Sequence, residues 1–233
     1  MQVGEPIGEG WAIYKRFWQH LLPLAFVTYL VISLIALVLT LVAGILGALA
    51  SVVVAIAGIF LLQGALVEAV ADVRDGRADL SLTETFGRVV PKLGSIVAAG
   101  LLAGIAIAIG LVLIVVPGLF LLTIWSVVVP VIVLESTGAM ESFGRSRALV
   151  KGYGWTVFGV IVITFLINLA VKIVISIVLA GLSDDLRSYL SDVVANTLIS
   201  PFIAATLTCM YFRLRALHQP ADVPAGAAYN ETG

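Results

Sequence analysis

The sequence predicts an all-α fold, a polytopic membrane helix bundle of six transmembrane helices in three hairpins, with short amphipathic interfacial helices on the cytoplasmic side. Three observations lead there. Of 233 residues, 61% are hydrophobic and only 12% charged, about half the charged share of an ordinary soluble domain. Charge is also segregated: residues 21–67 form a run of 47, and residues 93–134 a run of 42, without one charged side chain. Finally, the basic residues gather between the apolar runs, where they report orientation.

About 20 helical residues cross a bilayer, and only a helix satisfies its backbone groups inside such a continuous apolar segment. Each long run is therefore expected to make two crossings. In the first, the small-residue stretch 44–51 is the weakest helix former, which gives crossings over 21–43 and 50–70. In the second, Pro117 and Gly118 form a turn dipeptide, which gives 93–115 and 119–134. A fifth crossing begins near Trp155, is free of charge to Val171 and stays apolar to Leu182; a sixth covers 193–212. The expected organisation is an N-terminal tail over 1–6, one membrane domain over 7–218, and a disordered tail over 219–233, rich in Ala, Pro and Gly.

Eleven of the 13 basic residues fall on one side of this arrangement: Lys15, Arg16, Arg74, Arg77, Arg88, Lys92, Arg145, Arg147, Lys151, Arg213 and Arg215. Arg187 alone is opposite, in an acidic connection over 183–192, and Lys172 lies in or at the edge of the fifth crossing. The bias places both termini in the cytoplasm and the chain in the cell membrane. The first apolar run is too long for a signal peptide's apolar core and follows four charged residues, so it is expected to stay in the protein.

The chain repeats itself. Glu84-Thr85-Phe86-Gly87-Arg88 and Glu141-Ser142-Phe143-Gly144-Arg145 both read E-[ST]-F-G-R, 57 residues apart, each ahead of an apolar run. Residues 11–20 are a looser copy that mixes Tyr14, Phe17 and Trp18 with Lys15 and Arg16. Each copy reads as an in-plane amphipathic helix followed by a membrane hairpin. Ser81 and Glu84 have the spacing of a capping box and mark one helix start.

Further residues carry a resemblance. The stretch Trp125-Ser126-Val127-Val128-Val129-Pro130, continuing to Val133-Leu134-Glu135, is followed by a longer one. That one is Ser142-Phe143-Gly144-Arg145-Ser146-Arg147-Ala148-Leu149-Val150-Lys151-Gly152-Tyr153-Gly154-Trp155. With the late Tyr211-Phe212-Arg213-Leu214-Arg215, they resemble the family called the glycerophosphoryl diester phosphodiesterase membrane domain and related six-span prokaryotic membrane proteins, over about residues 7–215. That family takes its name from proteins in which such a module is joined to a separate soluble phosphodiesterase domain. The resemblance therefore implies a membrane module of unassigned activity, and the expectation is that this chain is no phosphodiesterase.

Catalysis finds little to work with. The two histidines, His20 and His218, have no carboxylates spaced near them as a ligand set, and the nucleotide-binding P-loop, paired-cysteine and zincin patterns are absent from the sequence. No enzyme activity, cofactor or metal is expected. A net charge of −1 gives no field for nucleic acid, and the single cysteine, Cys209, cannot form an internal disulfide. The expected partners are membrane lipids, including anionic headgroups, with a second copy or another membrane protein also compatible.

Two candidate sites follow. Asn168, Lys172 and Ser176 share one face of the fifth crossing at i, i+4 and i+8, and Asn196 and Ser200 share a face of the sixth. They read either as a polar pocket of a small transporter or permease, or as a snorkelling lysine with ordinary interhelical hydrogen bonds. On the cytoplasmic side, Glu68, Arg74, Arg88, Glu135, Arg145, Arg147 and Arg213 read as an ion-pair network locking the hairpins or as a collar for lipid headgroups. Gly100 and Gly104 form a G-x-x-x-G ridge, and Pro130 and Pro201 interrupt crossings four and six.

Overall fold

A computed structural model describes residues 1–76, 78–181 and 183–218. Arg77, Leu182 and the expected disordered tail over 219–233 lie outside the described residues. Among the described residues every regular element is helical, and five helices are long and apolar enough to cross a membrane.

Helix α1, Gly4–Asp72, carries non-helical angles at Phe17 (φ −116°, ψ 21°) and Gly44 (φ 54°, ψ −128°). The break at Gly44 reverses the chain. A straight helix would hold Leu24 and Leu66 about 63 Å apart, yet both are buried in one cluster with Leu21, Leu62 and Ala65. Gly58 likewise packs against the Ile32 side chain of the other arm. The angles at Gly44 lie at positive φ, where glycine alone is comfortable, so this residue sets the turn that its small-residue neighbourhood led us to expect.

A 3₁₀ turn, Val73–Asp75, leads to α2, Leu82–Val89, which starts with the expected capping box: the Ser81 hydroxyl accepts from the Glu84 N–H, and the Glu84 carboxylate accepts from the Ser81 N–H. A second 3₁₀ turn, Val90–Lys92, leads to α3, Leu93–Leu113. The reversal after α3 falls at Ile114 (φ −154°, ψ 124°) and not at Pro117-Gly118, three residues later, where the sequence places it. Pro117 and Gly118 instead occupy the first turn of α4, Val115–Ile124. A proline is tolerated there because its missing N–H would have no helical partner. Gly118 serves close packing: a Cβ on Gly110 would stand 2.9 Å from its Cα.

Helix α5, Val128–Glu135, follows a break at Trp125–Val127 one turn ahead of Pro130, which lacks the N–H that the Ser126 carbonyl would otherwise receive. Helix α6, Ala139–Val150, then leads through Gly152 (φ 88°) into α7, Gly154–Val178, and α8, Asp184–His218, ends the described chain. The acidic stretch 183–192, expected as an external connection, is thus mostly the first part of α8.

Helices α2 and α6 are packed into the bundle along one face: Thr85, Val89, Ser142, Ser146, Leu149 and Val150 are buried, and Val89 meets Gly64 of α1. Residues 1–6, read as a tail, are docked too, with Met1 and Val3 packed on a core of Val157, Val160 and Met210. Outside the core the surface is aliphatic, Val42 and Val112 being 82% and 85% exposed.

Candidate functional site

Residues at one end of the bundle hold its parts together through carboxylate–arginine junctions. Arg88 of α2 pairs with Glu68, near the end of α1, at 3.1 Å. Arg145 of α6 pairs with Glu135, the last residue of α5, at 2.8 Å. The two arginines close the two copies of the repeated pentapeptide, so each copy ties its helix to the carboxylate that ends the preceding apolar segment. The buried hydroxyls of the copies behave alike, Thr85 donating to the Ser81 carbonyl and Ser142 to the Ala139 carbonyl.

A third junction closes the series with the charges exchanged. Arg213, near the end of α8, donates to Glu9 at 2.8 Å and Glu5 at 3.0 Å on the N-terminal turns of α1. Gly10 permits the approach, since a Cβ there would stand 2.8 Å from the Thr206 backbone nitrogen. Sequence reasoning missed Glu5 and Glu9, because a 204-residue separation leaves no local spacing to read.

The Tyr211-Phe212-Arg213 triplet reaches three different parts of the chain. The Tyr211 hydroxyl donates to Glu135 at 2.8 Å, Phe212 lies under the Arg74 guanidinium at 4.0 Å, and Arg213 holds Glu5 and Glu9. Glu135 therefore serves α6 with one oxygen and α8 with the other. Its hydrogen bond is also the largest influence on the Arg145 guanidinium and raises its pKa above the ordinary value. Arg147, by contrast, is exposed, as are Lys15 and Lys151.

The second candidate site is dispersed. Asn168, Lys172 and Ser176 are half-buried along α7, and Lys172 has a partner. The Asn168 side-chain oxygen is buried with no hydrogen-bond partner. In α8, Ser200 donates to the Asn196 carbonyl at 2.6 Å and meets the Tyr29 hydroxyl of α1 at 3.1 Å. Ser200 thus turns toward α1.

There it borders a cavity of about 220 Å³ between α1, α5 and α8, which Tyr29, Gln63, Ser126 and Pro130 also line. The Ser126 hydroxyl is buried and has no hydrogen-bond partner. The neighbouring carbonyl of Ile124, at the end of α4, is taken by the Ser146 hydroxyl of α6 at 2.8 Å. A signal for this cavity existed in the sequence, since Gln63 is the one carboxamide in the run 21–67.

No group of three or more His, Cys, Asp or Glu side chains able to hold a metal occurs among the described residues. No family model, curated protein or solved structure matches the chain.

Proposed function

We propose that this chain is a six-crossing membrane module of the cell membrane that acts through helix packing and contact with lipid rather than through catalysis. Its crossings are residues 18–43 and 45–72, Leu93–Leu113, the α4–α5 stretch 115–135, Gly154–Val178 and residues 193–218, paired as three hairpins with both termini in the cytoplasm. The observation that carries this reading is the set of three carboxylate–arginine junctions at one end, beyond which the surface is aliphatic. Such a surface needs hydrocarbon around it. Lys15, Arg147 and Lys151, exposed at the charged end, are the groups that meet anionic headgroups. The resemblance to the phosphodiesterase-associated membrane domain supports the same reading.

The test has two parts. Single cysteines are introduced at Arg147 and Ala180 in a Cys209→Ser background and probed in intact cells with a membrane-impermeant thiol reagent. Labelling at 180 and protection at 147 is expected, and the reverse pattern would overturn the topology. In nanodiscs, phosphatidylglycerol is expected to stabilise the chain more than phosphatidylcholine, with that difference reduced in Arg147→Ala, Lys151→Ala. An undiminished difference would remove lipid contact at these residues.

A further inference from the structure

We propose that the cavity between α1, α5 and α8 binds the hydroxylated head of a neutral lipid alcohol taken from the surrounding membrane. The proposal rests on the membrane reading above and adds a ligand to it. The volume of about 220 Å³ is many times the roughly 10–15 Å³ that one water requires.

The lining fixes the class of occupant. Tyr29 is its one titratable residue, and the lining contains no formally charged side chain, so a charged head would be buried without compensation. Hydrogen-bonding capacity is present from three directions. Ser200 gives its proton to the Asn196 carbonyl, so Tyr29 is the donor in the Tyr29–Ser200 contact, and both oxygens keep accepting capacity. Gln63 brings a carboxamide that both donates and accepts.

Ser126 supplies the strongest indication. The Thr28, Thr123 and Thr164 hydroxyls of α1, α4 and α7 each return to the carbonyl four residues back, at 2.7–2.8 Å. Of the buried hydroxyls without a partner, which include Thr197, Thr206 and Thr208 of α8, Ser126 is the one that lines this cavity. The Ser126 hydroxyl, in the break before Pro130, has no such partner although it is buried. A buried hydroxyl left unpaired is costly, and a ligand hydroxyl removes that cost. The remaining lining is aliphatic, including Leu62, Leu66 and Val129, which suits the start of a hydrocarbon tail. Of the lining residues, Ile59 and Gln63, one helical turn apart on an apolar stretch of α1, are exposed, which on the membrane reading gives a lipid head a way in from the bilayer.

The full chain is reconstituted in phosphatidylcholine nanodiscs with a few mole per cent of oleyl alcohol or of 1-octadecene, which lacks the hydroxyl. Oleyl alcohol is expected to raise the unfolding midpoint by about 2–4 °C over octadecene. Ser126→Ala and Gln63→Leu are expected to lose this difference while unfolding no earlier than the parent in additive-free discs. Should Gln63→Leu fail to fold, Ser126→Ala alone carries the comparison. Equal midpoints with the two additives, or a difference that persists in Ser126→Ala, would overturn the proposal and leave the cavity to water. Cysteine labelling reports the topology separately, so a missing shift alongside the expected labelling sinks the ligand and not the membrane reading.

Discussion

The Tyr211 hydroxyl donates to one oxygen of Glu135 at 2.8 Å while Arg145 donates to the other at 2.8 Å. One carboxylate thus joins α5 to both α6 and α8. Tyr211 is fully buried and the Glu135 side chain only 17% exposed, so removing a donor leaves the remaining groups poorly solvated. Tyr211→Phe is expected to cost about 1–3 kcal/mol. Arg88→Ala is expected to cost less, about 1 kcal/mol, because water reaches the guanidinium side of this pair, Arg88 being 57% exposed although Glu68 is only 13% exposed. Equilibrium unfolding of the two variants in detergent measures the difference, and equal losses would contradict this account.

Closure between the two ends of the chain depends on Gly10. A Cβ there would approach the Thr206 nitrogen and Cα to 2.8 and 2.9 Å, and these are backbone atoms that cannot rotate away. Gly8, one turn from Glu5, has open space at the same point. Gly10→Ala is therefore expected to destabilise by about 1–3 kcal/mol through overpacking. Gly8→Ala is expected to be neutral or stabilising by up to about 1 kcal/mol, since alanine is the better helix former. Thermal unfolding of the pair, read by near-ultraviolet circular dichroism, separates the two.

The two glycines of the G-x-x-x-G ridge have different neighbours. Gly100 lies directly against the Phe60 ring of α1, whereas a Cβ on Gly104 would meet nothing within 4 Å. Half of the ridge is therefore used inside the bundle. Gly100→Ala is expected to lower stability, and Gly104→Ala to leave the isolated chain unchanged. A Gly104→Ala change that shifts the oligomeric state in native mass spectrometry, without altering the unfolding midpoint, would place a second copy on that face.

Much of the fold was legible because hydrocarbon imposes so few options. Charge-free runs of 47 and 42 residues, segregated arginines and a capping box at Ser81 and Glu84 point to the helices directly. The turn near Pro117 was misplaced because proline and glycine have two uses. Here they serve a helix's first turn and a close contact with Gly110. The ion pairs at the charged end were half legible. Arg88 and Arg145 lie 20 and 10 residues from their carboxylates and within a repeated motif, whereas Arg213 meets Glu5 and Glu9 across the whole chain. Of the polar cavity only Ser200 was legible, since its other polar side chains come from separate segments, each with one polar group among many apolar ones.

The start of α2 makes a prediction about pH. The Glu84 carboxyl is held below the ordinary glutamate pKa chiefly by the Ser81 hydroxyl and then by the Ser81 backbone N–H. A carboxyl whose pKa is lower when folded favours the folded helix start above its unfolded pKa. That contribution fades as pH falls through the depressed folded value. Ser81→Ala removes the largest cause, so the Glu84 pKa is expected to move up toward its ordinary value. The change is read by following the Glu84 side-chain carboxyl carbon by nuclear magnetic resonance across an acid titration. The same substitution frees one of the first N–H groups of α2, so amide exchange at Glu84 is expected to quicken at neutral pH while Val89, buried against Gly64, stays protected. An unchanged Glu84 titration in Ser81→Ala would mean that the cap does not persist in the membrane.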